Sequence, residues 1–320
     1  MKKLLLLVPF VAFGQTGAPQ PANIAQAKIE VLPVQGNIHM IAGAGGNITV
    51  QIGRDGVLLV DSSYAGVTDK VLAEIKKLTN KPIRYIISTS ADADHVGGNT
   101  ALKAAGATIA GGNVSGDLGA GASEGAQIVA TENVMHRMSA PTGKVAPTPS
   151  SGWPTSTFFT EEKKLYFNDE GIQIYHLPNA HTDGDAIVFF RRSDVIAAGD
   201  LLLTTHYPVI DLEKGGSING YIAGLQKLVD LVVPVYGQDG GTLLISGHGR
   251  LCDFGDLLNY REMVTIVCDR IQDGIKKGLT LEQVKATKPT FDYDPLYGKA
   301  PGWGTDQFVE AVYKSLKGAK

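Results

Sequence analysis

The 320-residue sequence predicts an α/β fold. Strand-length apolar runs stop at Gly- or Asp-rich loops, and amphipathic helical stripes are interleaved with them. The 39 glycines exceed the average usage of about 7% and suit many tight turns between short elements. Hydrophobic residues at 43% and charged residues at 19% allow a sizeable core. Lys plus Arg is 29 and Asp plus Glu is 32, a net charge of -3. That balance leaves no electrostatic footprint for nucleic acid or an anionic membrane surface. With two cysteines, Cys252 and Cys268, neither a disulfide scaffold nor a cysteine-rich zinc site is available. Export would permit a Cys252–Cys268 bridge, but Cys268 lies in a helical apolar pattern that equally suits a buried free thiol.

The elements follow in order. Met1-Lys2-Lys3, an apolar run from Leu4 to Phe13 and the small pair Ala12 and Gly14 read as a secretory signal, with Pro19-Gln20-Pro21 as a leader. The apolar run falls short of the roughly 20 residues that cross a bilayer. Residues 1–20 are thus expected to be signal and leader, and the mature protein soluble, secreted or periplasmic. Asn47–Ile52 alternates polar and apolar, Asp55-Gly56 marks a hairpin, and Val57–Val60 ends in Asp61. Val67, Val71, Leu72, Ile75 and Leu78 share a helical face. A buried strand over Ile83–Ile87 stops at Ser88-Thr89-Ser90-Ala91-Asp92-Ala93-Asp94-His95, and Gly97-Gly98-Asn99 opens a short helix.

Residues 111–160 turn rich in Gly, Ala, Ser and Pro and carry Met135, Met138, Trp153 and Phe158. They read as a long surface excursion, either a functional lid or a disordered insertion. Strand patterns return at Lys164–Phe167, Ile172–Leu177, Ala186–Arg191 and Val195–Ala198. A helix over 217–231 takes Ser217 as N-cap, and Leu243–Ile245 is a buried strand ending in Ser246-Gly247-His248-Gly249. The remainder is helical: Tyr260, Met263, Val264, Val267, Ile271 and Ile275 share a face, Thr280-Leu281-Glu282-Gln283 is a capping box, and Phe308, Val309, Val312, Tyr313 and Leu316 form a last stripe.

His95, His181 and His248 all sit at the ends of apolar runs in Gly- or Asp-rich loops, and a fourth run ends in Gly199-Asp200. Strand ends are where α/β sheets present functional groups, and neutral imidazoles with carboxylates are the ligands of catalytic zinc. Together the four loops predict one shared metal site. His206 either lines that pocket or is an ordinary loop histidine, and the second reading is favoured. His39, His136 and His176 have no partner pattern.

These segments resemble the metallo-β-lactamase-fold hydrolase superfamily, which uses His-x-His-x-Asp-His after a strand, a His in Gly/Ala-His-Thr-x-Gly-Asp, a strand-end Gly-Asp and a late Gly-His. The counterparts here are Ser90-Ala91-Asp92-Ala93-Asp94-His95, Ala180-His181-Thr182-Asp183-Gly184-Asp185, Gly199-Asp200 and Gly247-His248, with Asp61 matching the strand-end aspartate that orders the site loops. The resemblance covers residues from about 30 to 250. It implies a four-layer αβ/βα sandwich of two mixed β-sheets with helices on the outer faces. The expected organisation is one such domain over residues 27–320, with the excursion at 111–160 and a helical C-terminal extension from about residue 254.

The departure from the motif is as informative. Ser90 and Asp92 replace the two leading histidines, so that only His181 remains of the first metal trio. That site is expected to be empty, displaced or tuned to a harder, oxygen-preferring cation. The second set, Asp94, His95, Asp200 and His248, is complete. The resemblance then implies one tightly bound zinc per chain, a second, weaker divalent ion at most, and hydroxide supplied by the metal. Asp92 or Asp94 would aim the water and His181 would protonate the leaving group. The expected function is an exported hydrolase of a small-molecule ester, lactone, thioester or related bond. A β-lactamase is disfavoured because the histidine-rich first site is absent. A binding or scaffold protein on the same fold is the alternative, and an iron-dependent sulfur dioxygenase ranks last.

Overall fold

The computed structural model describes residues 24–43, 45–108, 125–140, 146–233 and 241–318. The signal and leader assigned to residues 1–20 lie outside them. Seven strands form the first sheet in sequence order: β1 (Glu30–Pro33), β2 (Ile38–Ala42), β3 (Ile48–Gly53), β4 (Gly56–Val60), β5 (Ile83–Ile87), β6 (Gln127–Thr131) and β7 (Ser156–Phe158). The strands β1 to β4 run antiparallel, whereas β4 to β7 are parallel neighbours. Six strands form the second sheet: β8 (Glu162–Phe167), β9 (Glu170–His176), β10 (Ala186–Phe190), β11 (Val195–Ala197), β12 (Leu243–Ile245) and β13 (Leu251–Cys252). Here β11 and β12 are the parallel pair, and the others are antiparallel. The helices are α1 (Thr68–Leu78), α2 (Ala93–Val96), α3 (Asn99–Ala104), α4 (Glu132–Ser139), α5 (Ile218–Leu231), α6 (Phe254–Lys276), α7 (Leu281–Ala286), α8 (Asp294–Tyr297) and α9 (Thr305–Gly318).

Strand β4 shows why the layers stack. Its residues are buried throughout, as expected of a strand covered on both faces. Leu58 and Val60 face the second sheet and pack with Ile172, Ile174, Val188 and Ala197. Val57 and Leu59 point the other way, toward Val67, Val71 and Ile75 of the α1 region and Leu102 of α3. On the far side, Ile187, Ile196 and Leu244 pack under α5, α6 and α9 through Leu225, Val264, Val267 and Phe308. The result is helix, sheet, sheet, helix, as the resemblance implied. The local signals read from sequence also appear: Gly53 pairs with Gly56 across the β3–β4 turn, Ser217 caps α5, and Thr280 with Gln283 boxes α7.

The excursion is the main correction. Residues 111–124 and 141–145 lie outside the described residues, but Gln127–Thr131 is no surface loop. It is β6, an interior strand paired parallel to β5 and β7 with Ile128, Val129 and Ala130 buried. Thr131 caps α4, whose Val134 and Met138 are also buried. The three apolar residues of β6 do not stand out from the Gly/Ala/Ser-rich stretch around them. Both cysteines are buried free thiols, and burial raises their pKa to about 12 for Cys252 and about 11 for Cys268.

A polar clamp joins the sheets at the end opposite the histidines. Glu170 Oε1 accepts from Gln51 Nε2 (2.9 Å) and Ser193 Oγ (2.7 Å), and its Oε2 accepts from the Arg192 and Ser193 amides (both 3.2 Å). Glu170→Ala would leave these donors without their carboxylate in a buried place and is expected to cost about 2–3 kcal/mol. Urea denaturation of the two proteins measures this; a change within error would show that water replaces the carboxylate at no cost.

Candidate metal centre

The strand polarities decide where the site lies. Parallel β4 and β5 deliver Asp61 and the Ser88–His95 loop to one edge of the first sheet, and parallel β11 and β12 deliver Asp200 and His248 from the second. The edges are stitched together by the backbone: the Asn47 amide donates to the Gly247 carbonyl (2.8 Å) and the Ala186 amide to the Thr89 carbonyl (2.9 Å). Two glycines permit the approach. Gly199 has φ +50°, and an added Cβ would meet Thr89 Oγ1 at 2.8 Å; at Gly247 it would meet the Gly199 carbonyl oxygen at 2.5 Å.

Asp61 organises the first half. It takes a left-handed conformation (φ 64°), which aspartate tolerates better than most residues. Its Oδ1 accepts from the Thr89 amide (2.7 Å), its Oδ2 from the Thr89 hydroxyl (2.6 Å), and Oδ2 also lies 2.9 Å from His95 Nδ1. His95 therefore turns Nε2 inward. His181 is held by Asp185, whose Oδ1 lies 3.3 Å from Nδ1 and whose Oδ2 accepts from the Thr182 amide (2.6 Å). On the second-sheet side, the Tyr221 hydroxyl of α5 reaches the carbonyl oxygens of Asp200 (2.8 Å) and Leu201 (2.9 Å).

Two adjoining groups of buried ligand atoms result. Asp94, His95 and His248 form one, and Asp92, His181 and Asp200 the other, with the ligand atoms of each within 4.8 Å of one another. Asp200 spans them: its Oδ1 is 3.2 Å from His95 Nε2 and 3.6 Å from His248 Nε2, and its Oδ2 is 3.6 Å from His181 Nδ1. His248 Nε2 lies 2.9 Å from Asp94 Oδ2, and His181 Nε2 lies 3.4 Å from Asp92 Oδ2. Asp92 Oδ2, Asp94 Oδ2, His95 Nε2, Asp200 Oδ1 and His248 Nε2 are buried without a well-formed hydrogen bond. Unpartnered ligand atoms of this kind, oxygen and imidazole mixed, fit a divalent ion.

Each metal residue named from sequence thus lies in this centre. Asp92, expected as a water-aiming group at the altered first site, falls with His181 and Asp200 in a second ligand cluster. Ser90 is buried, and its Oγ accepts from the Asp92 amide (3.2 Å). His206, favoured as an ordinary loop histidine, is buried with its ring 5.6 Å from that of His248. Its Nδ1 lies 2.8 Å from the Tyr207 carbonyl oxygen, and its Nε2 is unpartnered. Sequence reading missed Lys214 altogether. Its Nζ lies 2.6 Å from Asp92 Oδ1 and 3.1 Å from Asp211 Oδ2. Nothing in Glu213-Lys214-Gly215-Gly216 marks it, because its partner is 122 residues away.

The site's carboxylates dominate its electrostatics. Burial disfavours the His95 imidazolium, yet Asp200, Asp61 and Asp94 hold its pKa well above the ordinary value. Burial works against His181 in the same way, and Asp185, Asp200 and Asp92 carry it up to about 10. Burial alone would raise Asp200, but His95, His181 and His248 hold it well below the usual carboxylate range. His206 moves down, chiefly through burial. Lys214 is held above its ordinary value because Asp92 and Asp211 outweigh its burial.

The family model of the metallo-beta-lactamase superfamily matches residues 42–248, the stretch that contains every ligand candidate. The chain belongs to the metallo-β-lactamase superfamily. Members generally bind zinc, consistent with the two His/Asp clusters. A metallo-beta-lactamase type 2 from Bacillus sp. (strain 170) is 21% identical over 210 residues, 65% of this chain and 68% of that enzyme. The structure of a metallo-beta-lactamase from Pontibacter korlensis superposes with a TM-score of 0.55 at 15% identity, covering 74% of this chain and 99% of that one. A stereoselective inverting sec-alkylsulfatase from Pseudomonas sp. gives a TM-score of 0.61 at 16% identity and covers 96% of this chain but 53% of its own. At these identities the structural likeness shows the superfamily's fold.

Two measurements probe the centre. Asp61→Asn keeps a residue that tolerates the left-handed conformation but removes the charge behind His95; metal affinity is expected to fall about 10–100-fold, as for other outer partners of ligating histidines. Unchanged affinity in a chelator competition would show that Asp61 serves only the Thr89 turn. With both pKa values raised, His95 and His181 carry protons at pH 7 in the metal-free protein, and an incoming ion must displace them. Zinc uptake should release protons, and its apparent affinity should climb with pH toward about 10, where His181 deprotonates. Calorimetry in buffers of different ionisation enthalpy counts the protons; finding none released would contradict the raised values.

Proposed function

We propose that the protein is an exported metal-dependent hydrolase acting on a small-molecule ester, lactone, thioester or related bond. The observation that carries this reading is the pair of adjoining, buried His/Asp clusters with unpaired ligand atoms, gathered near the ends of two parallel strand pairs, one in each sheet. Asp94, His95 and His248 would hold one zinc ion, with Asp200 beside them, and Asp92, His181 and Asp200 a second, weaker one. A divalent ion there supplies Lewis acidity, lowering the pKa of water toward neutrality and polarising the scissile bond.

The chain's own groups do the rest. Asp61 fixes the His95 ring, and Asp185 fixes that of His181. With the weaker second site empty, Asp92 would accept a hydrogen bond from the attacking water and aim it, while His181, facing Asp92 Oδ2 through Nε2, would hold a proton for the leaving group. His206, neutral because burial lowers its pKa, offers a second proton acceptor at the edge of the centre. Export rests on the basic start, short apolar run and small-residue pair at the N-terminus, and it places the enzyme in the periplasm or outside the cell.

A panel of carboxylic esters, lactones, thioesters, phosphoesters and alkyl sulfates offered to the zinc-loaded protein tests the reading; the alkyl sulfates are included because the alkylsulfatase fold spans most of the chain. His248→Ala and Asp94→Ala are each expected to lose zinc and to lower turnover about 100-fold or more in parallel. Zinc bound in the wild type with no turnover across the panel would favour a binding protein on this fold.

A further inference from the structure

We propose that Lys214 acts as a fixed internal cation that weakens metal binding at the Asp92–His181–Asp200 cluster, so that the two adjoining clusters differ in occupancy. The inference rests on the metal-centre reading above and concerns what sets its stoichiometry.

Lys214 is not a surface lysine that has drifted inward. Its amide donates to Asp211 Oδ1 (3.0 Å), and its carbonyl accepts from the Asp183 amide (2.9 Å) and Arg137 Nη2 (2.6 Å). Arg137 is itself clamped to both carboxylate oxygens of Asp183 (2.8 and 2.6 Å), and the Asp211 amide donates to the carbonyl of His181 (2.9 Å). The loop carrying the ammonium is thereby tied to the backbone of the very histidine that belongs to the cluster. The side chain then spans Asp211 and Asp92, occupying Oδ1 of Asp92 and leaving Oδ2 toward His181.

The consequence follows from charge. Behind His95 stands a carboxylate, Asp61, which adds negative charge to the Asp94–His95–His248 cluster. Behind Asp92 stands an ammonium, which has no lone pair to offer a metal, withdraws half of a ligand carboxylate and places a positive charge one residue from any bound cation. Among the described residues, Lys214 is the one Lys or Arg within ion-pair distance of a ligand carboxylate of either cluster. It pairs with Asp92, which together with Ser90 stands at the positions where the resemblance implies two imidazoles.

Equilibrium dialysis of the full-length protein against buffered free zinc, with metal counted per chain, tests this without reference to activity. The wild type is expected to fill one site tightly and a second weakly. Lys214→Met keeps the stem and every backbone hydrogen bond of the loop, and it should tighten the second ion about tenfold or more. Lys214→Arg retains the charge and should behave as the wild type, and the melting temperature of each variant verifies folding. A second ion bound equally tightly by the wild type and Lys214→Met, or more weakly by Lys214→Met, overturns the role of Lys214 while leaving the metal centre standing. No tight zinc in any of the three proteins overturns the metal-centre reading and this inference with it.

Discussion

The centre depends on one buried carboxylate. Asp61 leaves β4 in a left-handed conformation, ties down the turn after β5 through Thr89, and lies against the outer nitrogen of His95. Three consequences come from that placement. The loop after β5 doubles back into α2, bringing Asp92, Asp94 and His95 onto one turn. His95 presents Nε2 to the interior. The Thr89 carbonyl remains available to the Ala186 amide, so the first sheet's loop is fastened to the second sheet. Local strain at one residue is offset by hydrogen bonds that fix the geometry of a site built from distant segments.

The second requirement is charge balance. Asp61, Asp92, Asp94, Asp185 and Asp200 are all largely buried within reach of three imidazoles, and an arrangement of that kind needs cations. Protons on His95 and His181 supply them when no metal is bound, which is why both rings are held above their ordinary pKa. A divalent ion held by the candidate clusters would supply them otherwise. The two clusters have different surroundings, with Asp61 behind one and Lys214 behind the other, so chemically similar ligand sets need not bind alike. Asp200, shared between them and steadied by Tyr221 from α5, couples whatever happens at one to the other.

The sandwich makes this possible by covering both sheets on both faces. Its inner layer is aliphatic near the middle and polar at the end away from the histidines, where Glu170 gathers donors from both sheets. The opposite end holds the two candidate metal clusters. Cross-sheet contacts at both ends restrain the sheets from sliding, and a centre whose ligands come from both sheets requires that rigidity.

By itself the sequence determined the strand and helix alternation, because apolar periodicity is local: Val57–Val60, Ile83–Ile87 and the α6 face from Tyr260 to Ile271 are legible in windows of a few residues. It also determined the ligand types, since His95, His181, Asp200 and His248 sit at strand ends beside Gly and Asp, where turn chemistry and function coincide. Tertiary structure decided the rest. Strand β6 has only Ile128, Val129 and Ala130 as apolar residues, in a stretch rich in Gly, Ala and Ser, and only its pairing between β5 and β7 makes it a strand. Asp92 stands out in the sequence only as a water-aiming candidate at an altered first site, and folding brings His181 and Asp200 beside it. His206 carries only its nearness in sequence to Asp200 and Lys214 no local mark at all: one is recruited by burial against His248, the other by a carboxylate 122 residues away. Pairing of charges across that separation depends on chain topology, and periodicity and spacing within a window carry no record of it.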